Sequence, residues 1–269
     1  MRDPNLPGRR GTRMIQSMHS AYDIYRRTLT SLEEADSLWW YLGTTTVQLP
    51  GHPEIIVNHV ETVMVYRSEN LTADSYRVPW WEIGVFRDAI TGEIPEGWLN
   101  PVTGDPLPAA RTFEEGPSGF SVRATGRDGV EIFDAVQAHA ILDTAHVDFR
   151  RDEGRVVITQ TERKTRSFPG VDGTFDPTQN SQSETVLQFF ADEADLASGA
   201  PSVPSTGLYS FVLKTPAWLG FGDRPSTFAV KGLMHKAPMN APLNPRGWAD
   251  LQRLFPHYFA AGQIKPRWR

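Results

Sequence analysis

The chain has 269 residues, 22% of them charged and 39% hydrophobic, with a net charge of −5 and no cysteine. That length can bury a sizeable core, the acidic balance argues against a nucleic-acid surface, and the missing thiols exclude disulfides, thiolate catalysis and cysteine-bound metal centres. No apolar run follows Arg2, Arg9 and Arg10, and no segment approaches the ~18 apolar residues of a membrane span, so the expectation is a cytoplasmic protein with neither a membrane nor a nucleic-acid partner.

Residues 1–11 are rich in Pro, Gly and Arg and read as loose chain. From Thr12 to Glu34 the spacing of Met14, Met18, Tyr22, Tyr25 and Leu29 predicts a helix with one apolar stripe. After Asp36 the pattern changes to strand. Leu38 to Val47 is aromatic and β-branched and stops at Pro50-Gly51, and Glu54–Arg67 and Ser75–Arg87 follow as two more strands.

The stretch Trp80–Pro108 opens on an aromatic strand and continues with one pattern written twice, Asp88-x-x-Thr91-Gly92-Glu93 and Asn100-x-x-Thr103-Gly104-Asp105. An Asp or Asn three places before Thr-Gly is turn chemistry, because the side chain caps backbone amides and the glycine accepts a positive φ. Phe120–Val136 reads as a hairpin about Arg127-Asp128-Gly129, and Ala138–Arg150 with Arg155–Phe168 as another about Arg151–Gly154. Residues 169–183 and 198–206 read as loops, with a strand over Glu184–Ala191 and a helical turn at Ala194–Ala197 between them. Leu208–Thr215 and Pro225–Lys236 close the strands. A short helix from Pro245 through Trp248, Leu251 and Leu254, then Phe255–Phe259, reads as a tail docking on the sheet.

Many strands at hairpin spacing and few helices predict a mainly β protein. The expectation is a single antiparallel β-barrel or strongly curved sheet with an N-terminal helix and an irregular C-terminal tail. The chain divides into an arm and helix (1–35), a barrel (36–236) and a docking tail (237–269), one domain overall. No glycine-rich phosphate loop and no nucleophile elbow are present.

Strand alternation then sorts the candidate chemistry, since residues two apart share a face. His59, Glu61, Val63, Val65 and Arg67 fall together, with Val60, Met64 and Tyr66 opposite. Inside a barrel, Glu61 and Arg67 would be buried polar groups in need of partners; outside, they would form surface ion pairs. Tyr76, Trp80, Glu82 and Phe86 share one face of the aromatic strand, so Glu82 stands among rings that would raise its pKa and suit it to acid–base work. It could equally be paired with an arginine of the next strand. In Gln160–Arg166, alternation separates Gln160, Glu162, Lys164 and Arg166 from Thr161, Arg163 and Thr165, and one of these cationic faces would serve as a clamp for an anion or phenolate. His59 with Glu61 gives two metal ligands without a third, so no metal and no other cofactor is expected. His235, at the end of the last strand, is a rim or acid–base residue. The eight tryptophans, with Trp39, Trp80 and Trp81 on strands beside Tyr41, suit a cavity for a small aromatic ligand and equally an ordinary core.

The combination Trp39-Trp40-Tyr41-x-Gly43, Phe86-Arg87-Asp88, Thr91-Gly92-Glu93 and Asn100-Pro101-x-Thr103-Gly104 resembles a bacterial family catalogued as a domain of unknown function. The run Trp248…Phe255-Pro256…Phe259…Ile264-Lys265-Pro266-x-Trp268 is similar to that family as well. Proteins of this kind also resemble, more weakly, the phenylcoumaran γ-formaldehyde lyases of lignin-degrading bacteria. That resemblance implies a cofactor-independent carbon–carbon lyase, releasing formaldehyde from a lignin-derived aromatic dimer to give a stilbene. In it Glu61, Glu82 or a histidine such as His59 would be the base, Arg67 or Arg163 the clamp, and Tyr41 or Tyr66 the proton donor. The alternative is a non-catalytic, lipocalin-like binding protein for a hydrophobic aromatic ligand; a homo-oligomer is compatible with either.

Overall fold

The structure, a computed structural model, describes residues 20–107, 111–137, 140–169, 175–215, 225–239, 243–265 and 268, with the backbone alone at 167–169 and 175–180. In chain order the elements are α1 (Ala21–Leu29), β1 (Asp36–Gln48), β2 (Ile55–Arg67), β3 (Glu69–Thr72), β4 (Ser75–Arg87), β5 (Trp98–Leu99), β6 (Pro106–Leu107), β7 (Thr112–Ala124) and β8 (Val130–Val136). There follow β9 (Ala140–Asp152), β10 (Arg155–Pro169), β11 (Phe175–Asp192), α2 (Glu193–Ala197), β12 (Thr206–Lys214), β13 (Thr227–Ala237), α3 (Pro245–Leu254), β14 (Phe259–Ala260) and β15 (Gln263–Ile264).

Ten long strands form one antiparallel wall in the order β8-β7-β4-β2-β1-β13-β12-β11-β10-β9. Read around the ring this is a meander, each barrel strand lying beside its neighbour in sequence and the last, β13, returning to the first, β1. Between β8 and β9 the ring is closed by a single bridge, Gln137 to Ala140, so the barrel is nearly rather than fully continuous. The expected mainly β barrel with a short N-terminal helix and a C-terminal tail is therefore the observed fold.

Three expected elements differ. The first helix has nine residues instead of a span from Thr12 to Glu34; Thr12–His19 lie outside the described residues. Ser20 caps its start by accepting from Asp23 N at 3.1 Å. Its end is fixed from outside. The Lys236 ammonium donates to the carbonyls of Arg27, Thr28 and Thr30 at 2.9, 3.2 and 2.5 Å, occupying acceptors that a continuing helix would use. β11 begins at Phe175, inside a segment expected to be a loop, because the polar run Ser181–Ser183 pairs with the equally polar Lys164–Arg166 and backbone ladders do not require apolar side chains. β7 begins at Thr112 instead of Phe120, its early half pairing with β4.

The wall is buried on two sides in one half of the barrel. Trp39, Tyr41, Met64, Tyr66, Val78, Ile158, Phe189 and Met234 belong to the inner core. Leu38, Trp40, Val63, Val65, Trp81, Ile83 and Val85 point outward and are covered by Trp248, Leu251, Phe255, Tyr258 and Ile264 of the tail. Each tryptophan pair is thus split by alternation. Trp39 meets Phe189 inside at 5.5 Å, whereas Trp40 stacks on Trp248 at 6.0 Å and Trp81 on Tyr258 at 4.5 Å outside. The other half carries outward charges, among them His146, Asp148, Arg150, Arg163 and Glu184. One end of the barrel is plugged by α1, where buried Arg27 donates to the carbonyls of Leu196 and Ala200 at 2.6 and 2.7 Å. Trp39 Nε1 donates to Leu29 O there at 2.9 Å.

The twin turns are near copies. Asp88 Oδ1 accepts from Ile90 N and Thr91 N, as Asn100 Oδ1 does from Val102 N and Thr103 N. Gly92 and Gly104 sit at φ +69° and +77°. The first copy is tied to the tail through Glu93 and Arg246 at 2.5 Å.

Candidate functional site

The inner face of β4 and its neighbours concentrates the titratable groups that have a chemical use. Glu82 faces the lumen from the centre of β4, with Trp80 and Phe86 on the same face. Glu82 is half-buried there. Burial, and next the charge of Glu115, push its pKa up to about 8, with Thr62 and Arg166 opposing the rise. Among the described residues no cation lies within ion-pair distance of it. Three phenols share this space. Burial raises the pKa of Tyr41, Tyr66 and Tyr209, so that all three stay protonated donors, and Glu82 adds to the rise at each. Tyr41 and Tyr209 meet edge to face at 5.4 Å, and Tyr66 lies 6.4 Å from Trp80.

Tyr41 lies down along its own strand over Gly43, and a Cβ at position 43 would collide with its hydroxyl. The Tyr41-x-Gly43 spacing thus has a steric cause. The Tyr41 hydroxyl is buried and has no hydrogen-bond partner among the described residues.

Across the lumen, β10 presents Gln160, Glu162, Lys164 and Arg166 inward, the opposite of what a polar-out wall would give. They form a chain. Tyr25 of the plug donates to Gln160 Oε1 at 2.5 Å, Gln160 Nε2 donates to Glu162 Oε1 at 2.7 Å, and Lys164 Nζ lies 2.6 Å from Glu162 Oε2. Both ends of that ion pair are buried, where each side chain depends on the other as its partner. Arg166 continues the row, its Nε donating to Ser183 Oγ at 3.2 Å and its guanidinium lying 4.5 Å over the Phe211 ring. One wall of the lumen is therefore acidic and phenolic, the other cationic.

Glu61 is not part of this site. It is buried on the outer face of β2 beneath the tail. Arg87 Nε donates to it at 2.9 Å, Asn244 Nδ2 at 2.6 Å, and the same arginine reaches Asp250 at 2.8 Å. Its carboxylate occupies the N-terminus of α3, where a Cβ on Gly247 would strike it, so the helix dipole and Arg87 both favour its charge.

His59 is also outside, its Nδ1 3.1 Å from Thr44 Oγ1. Both His59 and Glu61 line an outward cleft of about 410 Å³, with Leu42, Leu233, Lys231 and Arg246. The cations there are engaged, Lys231 with Glu54 and Arg246 with Glu93. Arg67 pairs with Asp36 at 2.9 Å and lies over Trp268, and Arg163 is an exposed partner of Glu184 at 3.8 Å. Trp81 and His235 belong to the outer face as well, Trp81 in the tail's core and His235 in register with Trp40. Of the sequence candidates, the structure brings Trp39, Tyr41, Tyr66, Trp80 and Glu82 together inside.

The lumen also holds Glu115, Glu162, Lys164, Arg166 and Tyr209, which sequence reasoning did not select as site residues. Alternation in Gln160–Arg166 had grouped three of these on one face; what it lacked was the sign of that face. Among the described residues no group of three or more His, Asp or Glu is placed to hold a metal, and no helix is long and apolar enough to cross a membrane.

Comparison with known proteins adds little. No family model and no curated protein matches the chain. Among solved structures, the outer membrane enzyme PagL aligns over 76% of this chain and 99% of its own, at 10% identity and a TM-score of 0.28, a likeness too slight to carry an argument.

Proposed function

We propose that the protein is a cofactor-independent lyase that splits formaldehyde from a lignin-derived phenylcoumaran dimer inside the barrel. The observation that carries this reading is the opposition of two walls in one aromatic-lined lumen, a protonated Glu82 among tyrosines facing Lys164 and Arg166. The reaction needs a cation for a phenolate, an acid for a leaving ether oxygen, a base for a hydroxyl proton, and exclusion of water.

In this mechanism Arg166, supported by Lys164, holds the free phenol oxygen as phenolate. Its electron pair passes through the ring and expels the para-benzylic ether oxygen, to which Glu82 gives its proton, leaving a quinone methide and a new phenol. The Glu82 carboxylate then takes the proton of the neighbouring hydroxymethyl group. The carbon–carbon bond to that group breaks, its electron pair becomes the stilbene double bond, the quinone methide returns to phenolate, and formaldehyde leaves. Glu82 ends protonated, and no oxidant or reductant is consumed.

Incubation of the purified protein with phenylcoumaran dimers, followed by assay of formaldehyde and stilbene, tests the proposal; no product from any lignin dimer would sink it. The reading as a carrier of aromatic ligands draws on the same ring-lined lumen. It predicts binding without turnover, and Glu82→Gln that leaves affinity intact.

A further inference from the structure

Glu82 and Glu115 are register partners across β4 and β7, at the irregularity where Trp80 pairs with Ser118 and Glu82 with Glu115. Glu114, one residue earlier, is turned outward to the tail, where Tyr258 donates to it and His257 lies 3.7 Å away. Alternation therefore sends Glu115 inward, and its charge acts on Glu82, Tyr66 and Tyr209. The other groups bearing on Glu82 are Thr62 and Tyr66 from β2, Tyr41 from β1, Tyr209 from β12 and Arg166 from β10, while Glu162 of β10 acts on Tyr66 and Tyr209. The cations on that far wall already have company, Lys164 with Glu162 and Arg166 with Ser183 and Phe211. Two half-buried carboxyl groups paired across neighbouring strands on one face, with no cation in ion-pair contact with either among the described residues, resist ionising together. The buried Tyr41 hydroxyl, without a hydrogen-bond partner among the described residues, leaves further hydrogen-bonding capacity for a ligand at this wall.

We propose that Glu82 and Glu115 hold one proton between them, residing on Glu82, and that Glu115 is the positioning residue that keeps Glu82 an acid at the start of the reaction and makes it a base midway. Its chemical use rests on the lyase reading; the shared proton does not. When the Glu82 O–H bond breaks toward the ether oxygen, two carboxylates stand together, and their repulsion is relieved as Glu82 takes the hydroxymethyl proton. Glu115 touches no reacting atom in this scheme and acts through its neighbour.

The test is a carbon-13 titration of the glutamate carboxyls in the full-length protein, with Glu82→Gln and Glu115→Gln used to assign the two signals. In the unaltered protein Glu82 is expected to remain protonated through neutrality. Glu115→Gln should lower the Glu82 midpoint by at least about one pH unit, while Glu115→Asp should hold it near its original place. With a phenylcoumaran substrate, the alkaline limb of kcat/KM should move in the same direction. An unmoved Glu82 midpoint in Glu115→Gln overturns the pair, as does ionisation of both groups below pH 6 in the unaltered protein, which needs no variant to fold. A moved midpoint with no turnover of any dimer would leave the pair standing and remove the lyase.

Discussion

Glu61 and Glu82 are carboxyl groups on adjacent strands, β2 and β4, facing opposite sides of one wall, the first buried and the second half-buried. Glu61 sits under the tail with an arginine, an asparagine and the end of a helix directed at it. Glu82 sits in the lumen with phenols, rings and another carboxyl group about it. Some burial is common to both; compensation is not. A charge surrounded by complementary groups is held in one state and serves as a fastener, whereas a charge left against rings and a like charge is free to change state in the pH range where proteins work. The outer side of the wall uses its polarity for attachment; in the lyase proposal the inner side keeps it for reaction.

Conservative amide swaps should separate the two most sharply. Glu82→Gln is expected to cut turnover of a phenylcoumaran by about 100- to 10,000-fold with ligand affinity retained, as loss of a general acid–base group does. Glu61→Gln should leave turnover within a few-fold, and steady-state kinetics with a binding titration on both variants reads the difference. Removing the outer arginine should produce the largest loss of stability. Arg87→Ala leaves Glu61 buried without its cation and is expected to cost about 3–5 kcal/mol, read as a fall of roughly 10 °C in Tm.

The pH dependence should follow the inner carboxyl. Its folded pKa of about 8 lies above the ordinary value of 4.5, so the folded state binds the extra proton in between. Its contribution to stability is full below about pH 4.5, declines as pH rises, and is lost above about 8. The stability of the native chain minus that of Glu82→Gln should therefore fall across that window by on the order of a few kcal/mol, measured by urea denaturation at several pH values. Gly43→Ala should cost about 1–3 kcal/mol and displace the Tyr41 ring, seen as a changed near-ultraviolet spectrum. Arg163→Ala, on the exposed outer wall, should change stability by less than about 0.5 kcal/mol, and a larger loss would mean that this half of the wall also relies on charge.

The strands were legible in the sequence because alternation and turn residues survive whatever covers the sheet. Which face points inward was not. On β1 and β4 both faces are apolar, since the tail buries the outside as thoroughly as the lumen buries the inside, so Trp39 and Trp40 carry the same signal. On β10 both faces are polar, and the more charged one is inside. Glu82 was identified by the rings on its own face, a local feature. For Glu61 and Arg67 a cavity and an outer face with ion pairs stayed equally open, because the period-two rule fixes grouping and leaves direction open. Glu115 was invisible because the chain before Phe120 carries Gly116 and Pro117, which mask a strand, and Lys236 because its partners are backbone carbonyls far away in sequence.

Lys236 and the β1–β13 seam tie the first helix and first strand of the barrel to its last strand, with Arg27 and the lysine that holds it 209 positions apart in the chain. During synthesis this seam forms only once β13 has been made, with the tail still to follow. Until β13 leaves the ribosome, β1 presents an unpaired edge and the plug lacks its lysine, so the nascent wall is open on both flanks. Contacts so distant in sequence make for slow, all-at-once closure. A chain broken off before Thr227 should behave as an adhesive half-shell instead of a smaller barrel.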